Sequence, residues 1–205
     1  MIIDLKFEQL KPRCVPAYQT EFEKALPARQ ALSPLRGFWR TEVGDIDSVW
    51  QLWTYDDLAQ RAQVLAAEAQ LPGWPHAGAN ETVMEQDSLL IAPAPFSPPI
   101  TERRLGNIYE LRIYTYEPGL MPTVSDRWQE KLEARLRLSP LVFCGHTVGG
   151  RLNQWVHLWA YENAVERQRI RAESLKQKIW PPDARAGLIR QRNMLLIPSD
   201  FSPLH

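Results

Sequence analysis

Two short stretches carry the side chains with which this chain could do chemistry. In "IYELRIYTY" (108–116), Glu110, Arg112, Tyr114 and Tyr116 fall on alternate positions. In "NQWVHLWAY" (153–161), Asn153, Trp155, His157, Trp159 and Tyr161 do the same. Alternation along a strand puts such residues on one face. An imidazole titrates near neutrality and suits a general base, so His157 is the candidate base and Tyr114 the candidate proton donor. Arg112 beside Glu110 is a pattern for holding a carboxylate or phenolate, and Asn153 adds a binder for an anion or carbonyl. Trp155, Trp159 and Tyr161 complete the candidate ligand-binding set. A plainer reading stands beside each of these. His157 can be a buried residue bonded to Glu110 or Asn153. Arg112 and Glu110 can be an internal ion-pair network, because a buried charge without a partner is costly.

Other chemistries find less support. A metal centre needs three or four ligands at set positions, and His146, His157 and scattered carboxylates do not supply them. A haem needs an axial ligand. His157 or His146 could serve, but nothing in the sequence demands it, so no cofactor is expected. Cys14 and Cys144 form no CxxC, and Cys144 lies in an apolar stretch where a thiol is usually inert. No nucleophile elbow, P-loop or dinucleotide fingerprint is present. The mixed-sign run "ERQRIRAESLKQK" (166–178) reads as the solvated face of a helix.

The elements that must position these residues come twice. "LSPL" occurs at Leu32 and again at Leu138, an offset of 106. At the same offset Leu5 meets Leu111, Pro12 meets Pro118, Arg29 meets Arg135, Trp53 meets Trp159, Tyr55 meets Tyr161, and Trp74-Pro75 meets Trp180-Pro181. After a one-residue slip Phe96-Ser97-Pro98 meets Phe201-Ser202-Pro203. Two copies imply a fused pseudo-twofold pair rather than a solenoid. The units are assigned as 1–98 and 107–205, with 99–106 as the linker.

In the second copy, 108–119 reads as a strand closed by a Pro-Gly turn. Val124, Trp128, Leu132 and Leu136 recur at helical spacing, and Ser139-Pro140 ends that helix. Two strands follow around Gly149, Gly150 and Arg151. Asn163 with Glu166, and Asp57 with Gln60 in the first copy, form capping boxes that open a second helix. A short helix is expected over 183–192 and a last strand at "MLLIPS". The order β-α-β-β-α-β is the ferredoxin-like motif, so the fold class is α+β. Pro27 should kink or break the first helix of copy one.

A ferredoxin-like unit covers one sheet face with its helices and leaves the other bare. The polar and aromatic face of Glu110, Arg112, His157 and Trp159 is expected to be the bare one. Two such faces would cover each other, giving an intramolecular barrel with a cavity between the sheets.

"YELRIYTYEPG", "SPLV", "NQWVHLWAYENAVERQRIRA" and "LLIPSDFSP" resemble a NIPSNAP domain over nearly all of 108–203, and copy one resembles a diverged version. The resemblance implies a dimeric α+β barrel. It also implies a poorly defined function, with eukaryotic members tied to mitochondria, vesicle traffic and mitophagy signalling through protein partners. Related barrels include monooxygenases and haem-binding enzymes. The polar positions of the motif depart in copy one: Asp4, Lys6, Glu8, Asp47 and Gln51 stand at the positions of Glu110, Arg112, Tyr114, Asn153 and His157.

The chain has 205 residues, with 24 basic and 24 acidic side chains, so no strong basic field invites nucleic acid. No apolar run approaches a membrane span. The start lacks the marks of a signal peptide or presequence, and cytoplasmic residence is expected. Three functional readings stay open. The first is a protein that binds a small aromatic or acidic molecule between its sheets, with acid–base chemistry as an extension. The second is a non-enzymatic interaction module with a filled barrel, acting through protein partners or self-association. The third is a cofactor-free or haem-type monooxygenase.

Overall fold

The computed structural model describes residues 1–183 and 185–205. The first unit runs β1 (Ile2–Leu10), α1 (Val15–Gln30), β2 (Leu35–Val43), β3 (Ser48–Tyr55), α2 (Leu58–Glu68), a single helical turn α3 (Ala79–Thr82) and β4 (Val83–Pro93). The second runs β5 (Ile108–Tyr116), α4 (Met121–Leu136), β6 (Leu141–Gly149), β7 (Gln154–Tyr161), α5 (Ala164–Lys176) and β8 (Leu188–Pro198). Each unit is therefore β-α-β-β-α-β in its main elements. Of the two expected capping boxes the N-cap halves form; the return bond to the N-cap N–H does not, since Gln60 accepts from the Asp56 N–H and Glu166 from Arg169. Asp57 accepts from the Gln60 N–H at 2.8 Å and Asn163 from the Glu166 N–H at 2.9 Å, each cap stabilising its helix by about 1 kcal/mol.

Eight antiparallel strands close a barrel in the order β1-β3-β2-β8-β5-β7-β6-β4. The last strand of each unit closes it. β4 lies along β1 over most of its length, then carries Leu90 to Pro93 onto β6. β8 lies along β5 and carries Leu195 to Pro198 onto β2. Each half thus lends the end of its final strand to the other, which closes the sheet into a barrel.

One buried apolar cluster draws on all eight strands and on no helix. It includes Ile3, Phe7, Trp39, Trp50, Ile91, Leu111, Phe143, Val156, Leu158 and Met194, and it fills the barrel interior. Two further clusters each join the outer sheet face of one unit to that unit's own helices. In the first unit Phe38, Trp53 and Tyr55 meet Tyr18, Phe22 and Val64. In the second Trp155, Trp159 and Tyr161 meet Trp128, Leu132 and Ile170.

This corrects the sequence reading of the faces. Glu110, Arg112, His157 and Trp159 alternate with Leu111, Val156 and Leu158, and it is the latter set that turns into the barrel. The polar face turns outward, beneath α4 and α5. A narrow eight-stranded barrel holds just enough room for side chains, so its interior selects the apolar set. The charged set needs partners, and the helices supply them.

Two further corrections concern elements. α1 continues through Pro27 to Gln30. Pro27 and Glu23, whose carbonyl loses its bonding partner, both face solvent, where water serves that carbonyl. The helix expected over 183–192 is instead the start of β8 from Leu188, with a turn at 186–187; Ala184 lies outside the described residues. The segment 190–193 is polar and exposed, but pairing with β5 satisfies its backbone and overrides local composition. No helix among the described residues is long and apolar enough to cross a membrane.

Candidate functional site

Four elements of the second unit converge on the outer face of β5 and β7. β5 contributes Glu110, Arg112 and Tyr114, and β7 contributes His157, Trp159 and Tyr161. α4 presents Val124, Trp128, Leu132 and Arg135 along one buried stripe. α5 presents buried Ile170 and Ser174, flanked by the partly exposed Arg167 and Arg171. Between them lies a cavity of about 460 Å³ lined by arginines 112, 135, 171 and 185, by His157, and by the aromatic rings of Trp128, Trp159 and Trp180. Among the described residues no carboxylate lines it.

Beneath the cavity floor, Glu110 is fully buried and gathers three guanidinium groups. Arg112 donates to it at 2.8 Å and Arg171 at 3.1 Å, Arg167 donates to the same carboxylate, and Tyr161 adds a bond at 3.3 Å. Burial by itself would raise the pKa of Glu110. Arg112 and Arg167 outweigh it and hold the carboxyl at about 2. Arg112 also donates to the Tyr114 hydroxyl at 3.1 Å.

Arg135 is only 2% exposed. Its guanidinium lies 4.2 Å from the centre of the Trp159 ring and donates to Ser139 at 2.7 Å and Tyr161 at 3.1 Å. Among the described residues it has no carboxylate partner, and burial pulls its pKa down. The Nε groups of both Arg112 and Arg135 are buried without a hydrogen-bond partner.

His157 is 1% exposed, and its Nδ1 accepts the Trp159 indole N–H at 2.8 Å. The neutral ring therefore carries its proton on Nε2, which is buried without a partner. Burial first, then Arg112 and Arg135, push the pKa of His157 well below its usual value. A general base needs a free lone pair, and this one is taken. In this geometry His157 has its lone pair engaged by Trp159 and an N–H left to donate.

The structure brings Glu110, Arg112, Tyr114, His157, Trp159 and Tyr161 together. Trp155 packs behind them, against Trp128 at 5.3 Å and Phe96 at 6.4 Å. Asn153 does not join. It takes a left-handed φ of 58° in the β6–β7 turn, where its carbonyl accepts from the Tyr116 N–H at 2.9 Å. His146 lies on β6 against β4, away from the cavity. Cys144 is buried and its thiol is pushed up to about 12. Arg135, Arg171, Ser174 and Trp180 were missed as site residues because they come from the helices and the segment after α5. The signal for two of them was the repeat itself, in which Arg29 meets Arg135 and Trp74 meets Trp180.

The first unit has a cavity at the equivalent place, about 780 Å³, of opposite character. It is lined by Glu8, Glu68, Glu85 and Asp87, with Lys6, Tyr18 and Trp74. Its buried framework matches the second unit closely. Asp4 pairs with Arg61 at 2.7 Å, as Glu110 does with Arg167. Arg29 lies 4.1 Å from the centre of the Trp53 ring and donates to Ser33 and Tyr55. Gln51 accepts the Trp53 indole N–H at 3.1 Å, as His157 does for Trp159. What both units share is framework, and what only one holds is specific to that cavity.

Comparison with known proteins agrees with this organisation. The NIPSNAP family model matches twice, over residues 5–98 and 109–203. Human Protein NipSnap homolog 3B is 30% identical over 95% of this chain and 82% of its own length. Mouse Protein NipSnap homolog 2 is 26% identical over 98% of this chain and 75% of its own. Among solved structures, a candidate monooxygenase from Lactobacillus acidophilus aligns over 96% of this chain and 93% of its own, with a TM-score of 0.69. At 11% identity that likeness is one of fold alone.

Proposed function

The chain belongs to the NIPSNAP family, and from that premise we propose that its second unit binds a small aromatic or acidic molecule between the outer sheet face and helices α4 and α5. One observation carries the reading. A cavity walled by tryptophans and arginines, with no lining carboxylate among the described residues, keeps a buried His157 N–H and two buried arginine Nε groups without partners. Buried donors left unbonded cost about 1–3 kcal/mol each, and a ligand with acceptor atoms would relieve that cost. Binding sites of this kind combine apolar walls with a few convergent polar groups. Any proton transfer would fall to Tyr114, whose hydroxyl accepts from Arg112 and keeps its own proton to donate. His157 would orient an acceptor atom rather than remove a proton.

The filled barrel interior also suits a protein-interaction module, and the two readings part on one experiment. Native mass spectrometry of protein purified from its own host is compared with Arg171→Leu, which installs the residue found at the equivalent position of the first unit, Leu65. Excess mass on the wild type that is lost in a folded variant supports the ligand site. A wild type at its bare mass, unaltered by added aromatic acids, moves the weight to the interaction module.

A further inference from the structure

The repeat provides its own control for what the second cavity lacks. In the first unit the Glu68 carboxylate accepts from Arg29 Nε at 2.5 Å and from the Trp74 indole N–H at 2.9 Å, with the Lys6 ammonium 3.8 Å away. Every donor of that cage has a counterpart in the second unit: Arg135, Trp180 and Arg112. All three line the second cavity. The carboxylate does not recur. Ser174 stands where Glu68 stands, and its short hydroxyl donates back to the Arg171 carbonyl at 2.9 Å. The consequence falls on the atom that Glu68 would serve, since Arg135 Nε is buried and unpartnered while Arg29 Nε is not.

We infer that the ligand of the second unit carries a carboxylate, and that this group sits over Ser174, against Arg135 Nε, Trp180 and Arg112, in the place that Glu68 fills in the first unit. The inference rests on the second cavity being a ligand site. It adds the ligand's charge, its group and its position. Charge-assisted bonds to a guanidinium Nε favour a carboxylate over a neutral acceptor. The walls of Trp128, Trp159 and Trp180 suit an aromatic ring attached to it, so the class is an aryl or arylalkyl carboxylic acid. The first unit, whose cage is already closed by Glu68, takes no such ligand.

The test sets a panel of benzoate, phenylacetate and 3-phenylpropionate against their neutral amides, by calorimetry at pH 7, on wild type, Ser174→Glu and Ser174→Gln. The wild type should bind at least one acid, and bind its amide roughly tenfold more weakly or worse. Ser174→Glu should lose the acid and, by supplying the missing carboxylate itself, melt several degrees higher than Ser174→Gln. Equal affinity for acid and amide overturns the carboxylate while leaving the cavity a ligand site. Undiminished acid binding by Ser174→Glu overturns the position. A Ser174→Glu protein that melts no higher than Ser174→Gln shows, without any ligand, that Arg135 does not call for a carboxylate there. If no member of the panel binds while Ser174→Glu is still stabilised, the ligand reading falls and only the charge vacancy stands.

Discussion

His157 shows how far a single residue can differ from its reputation. Its Nδ1 is engaged by Trp159, and burial with Arg112 and Arg135 keeps the ring neutral. A histidine whose folded pKa is depressed leaves the unfolded chain binding more protons. The stability it contributes is fully present above about 6.5 and is lost as pH falls below that value, by about 1.4 kcal/mol per pH unit. Gln51 does the same structural work in the first unit without titrating. His157→Gln should therefore fold, keep the Trp159 bond, and show a shallower loss of stability between pH 6.5 and 5 in urea titrations. Parallel slopes for wild type and variant would contradict a buried neutral ring. Glu110 acts in a separate window. With its pKa held at about 2, its contribution is whole above about 4.5 and fades as pH falls toward 2. The side chains on alternate strand positions were legible in the sequence because the period of two announces them. Ser174 was not, and Arg135 was marked only by its match to Arg29 in the repeat, because a helix residue's neighbour across a packed face is invisible until the sheet and helix are docked.

At the scale of elements, the repeat, the order of helices and strands along each unit and both N-caps could be read directly, since each rests on spacing along the chain. The outward turn of the polar face could not. Both faces of β7 are buried from Gln154 to Tyr161, so burial alternates with nothing, and only the width of the closed barrel decides which set goes inside. The start of β8 was equally hidden: its residues 189–193 carry no apolar period, and β5 alone makes them a strand. The seam where β4 meets β6 is another feature without a local signature, and it gives an element-scale prediction. A Cβ on Gly145 would come within 2.3 Å of the Ala92 carbonyl oxygen and 2.8 Å of Pro93 Cα, contacts with backbone that no side-chain rotation relieves. Gly145→Ala should force the two strands apart and destabilise the fold by about 1–3 kcal/mol, read as a lower urea midpoint.

The whole molecule is one barrel made by two halves, neither of which is closed by itself. Removing the first half would strip the partner strands from β6 and β8 and uncover Leu111, Ile113, Phe143, Val156, Leu158 and Met194 together. Soluble proteins rarely leave so large an apolar face open, and unpaired strand edges invite pairing with another chain. The repeat offers a remedy, because β8 of one copy can meet β6 of a second copy in the way it meets β2 here. The segment 107–205 expressed alone should therefore form a twofold dimer, in which two like halves rebuild the eight-stranded barrel. Size-exclusion chromatography with light scattering would read twice the segment's mass, persisting on dilution to low micromolar concentration. A stable, folded monomer would mean that the apolar face can be covered from within one half, and that the second unit does not need its twin. The dimer would also carry two arginine-lined cavities in place of one of each sign. Its capacity for an aromatic acid should then be one per copy, whereas the full-length chain should bind one per molecule, since the Arg29 and Trp74 donors of its first cavity already serve the Glu68 carboxylate.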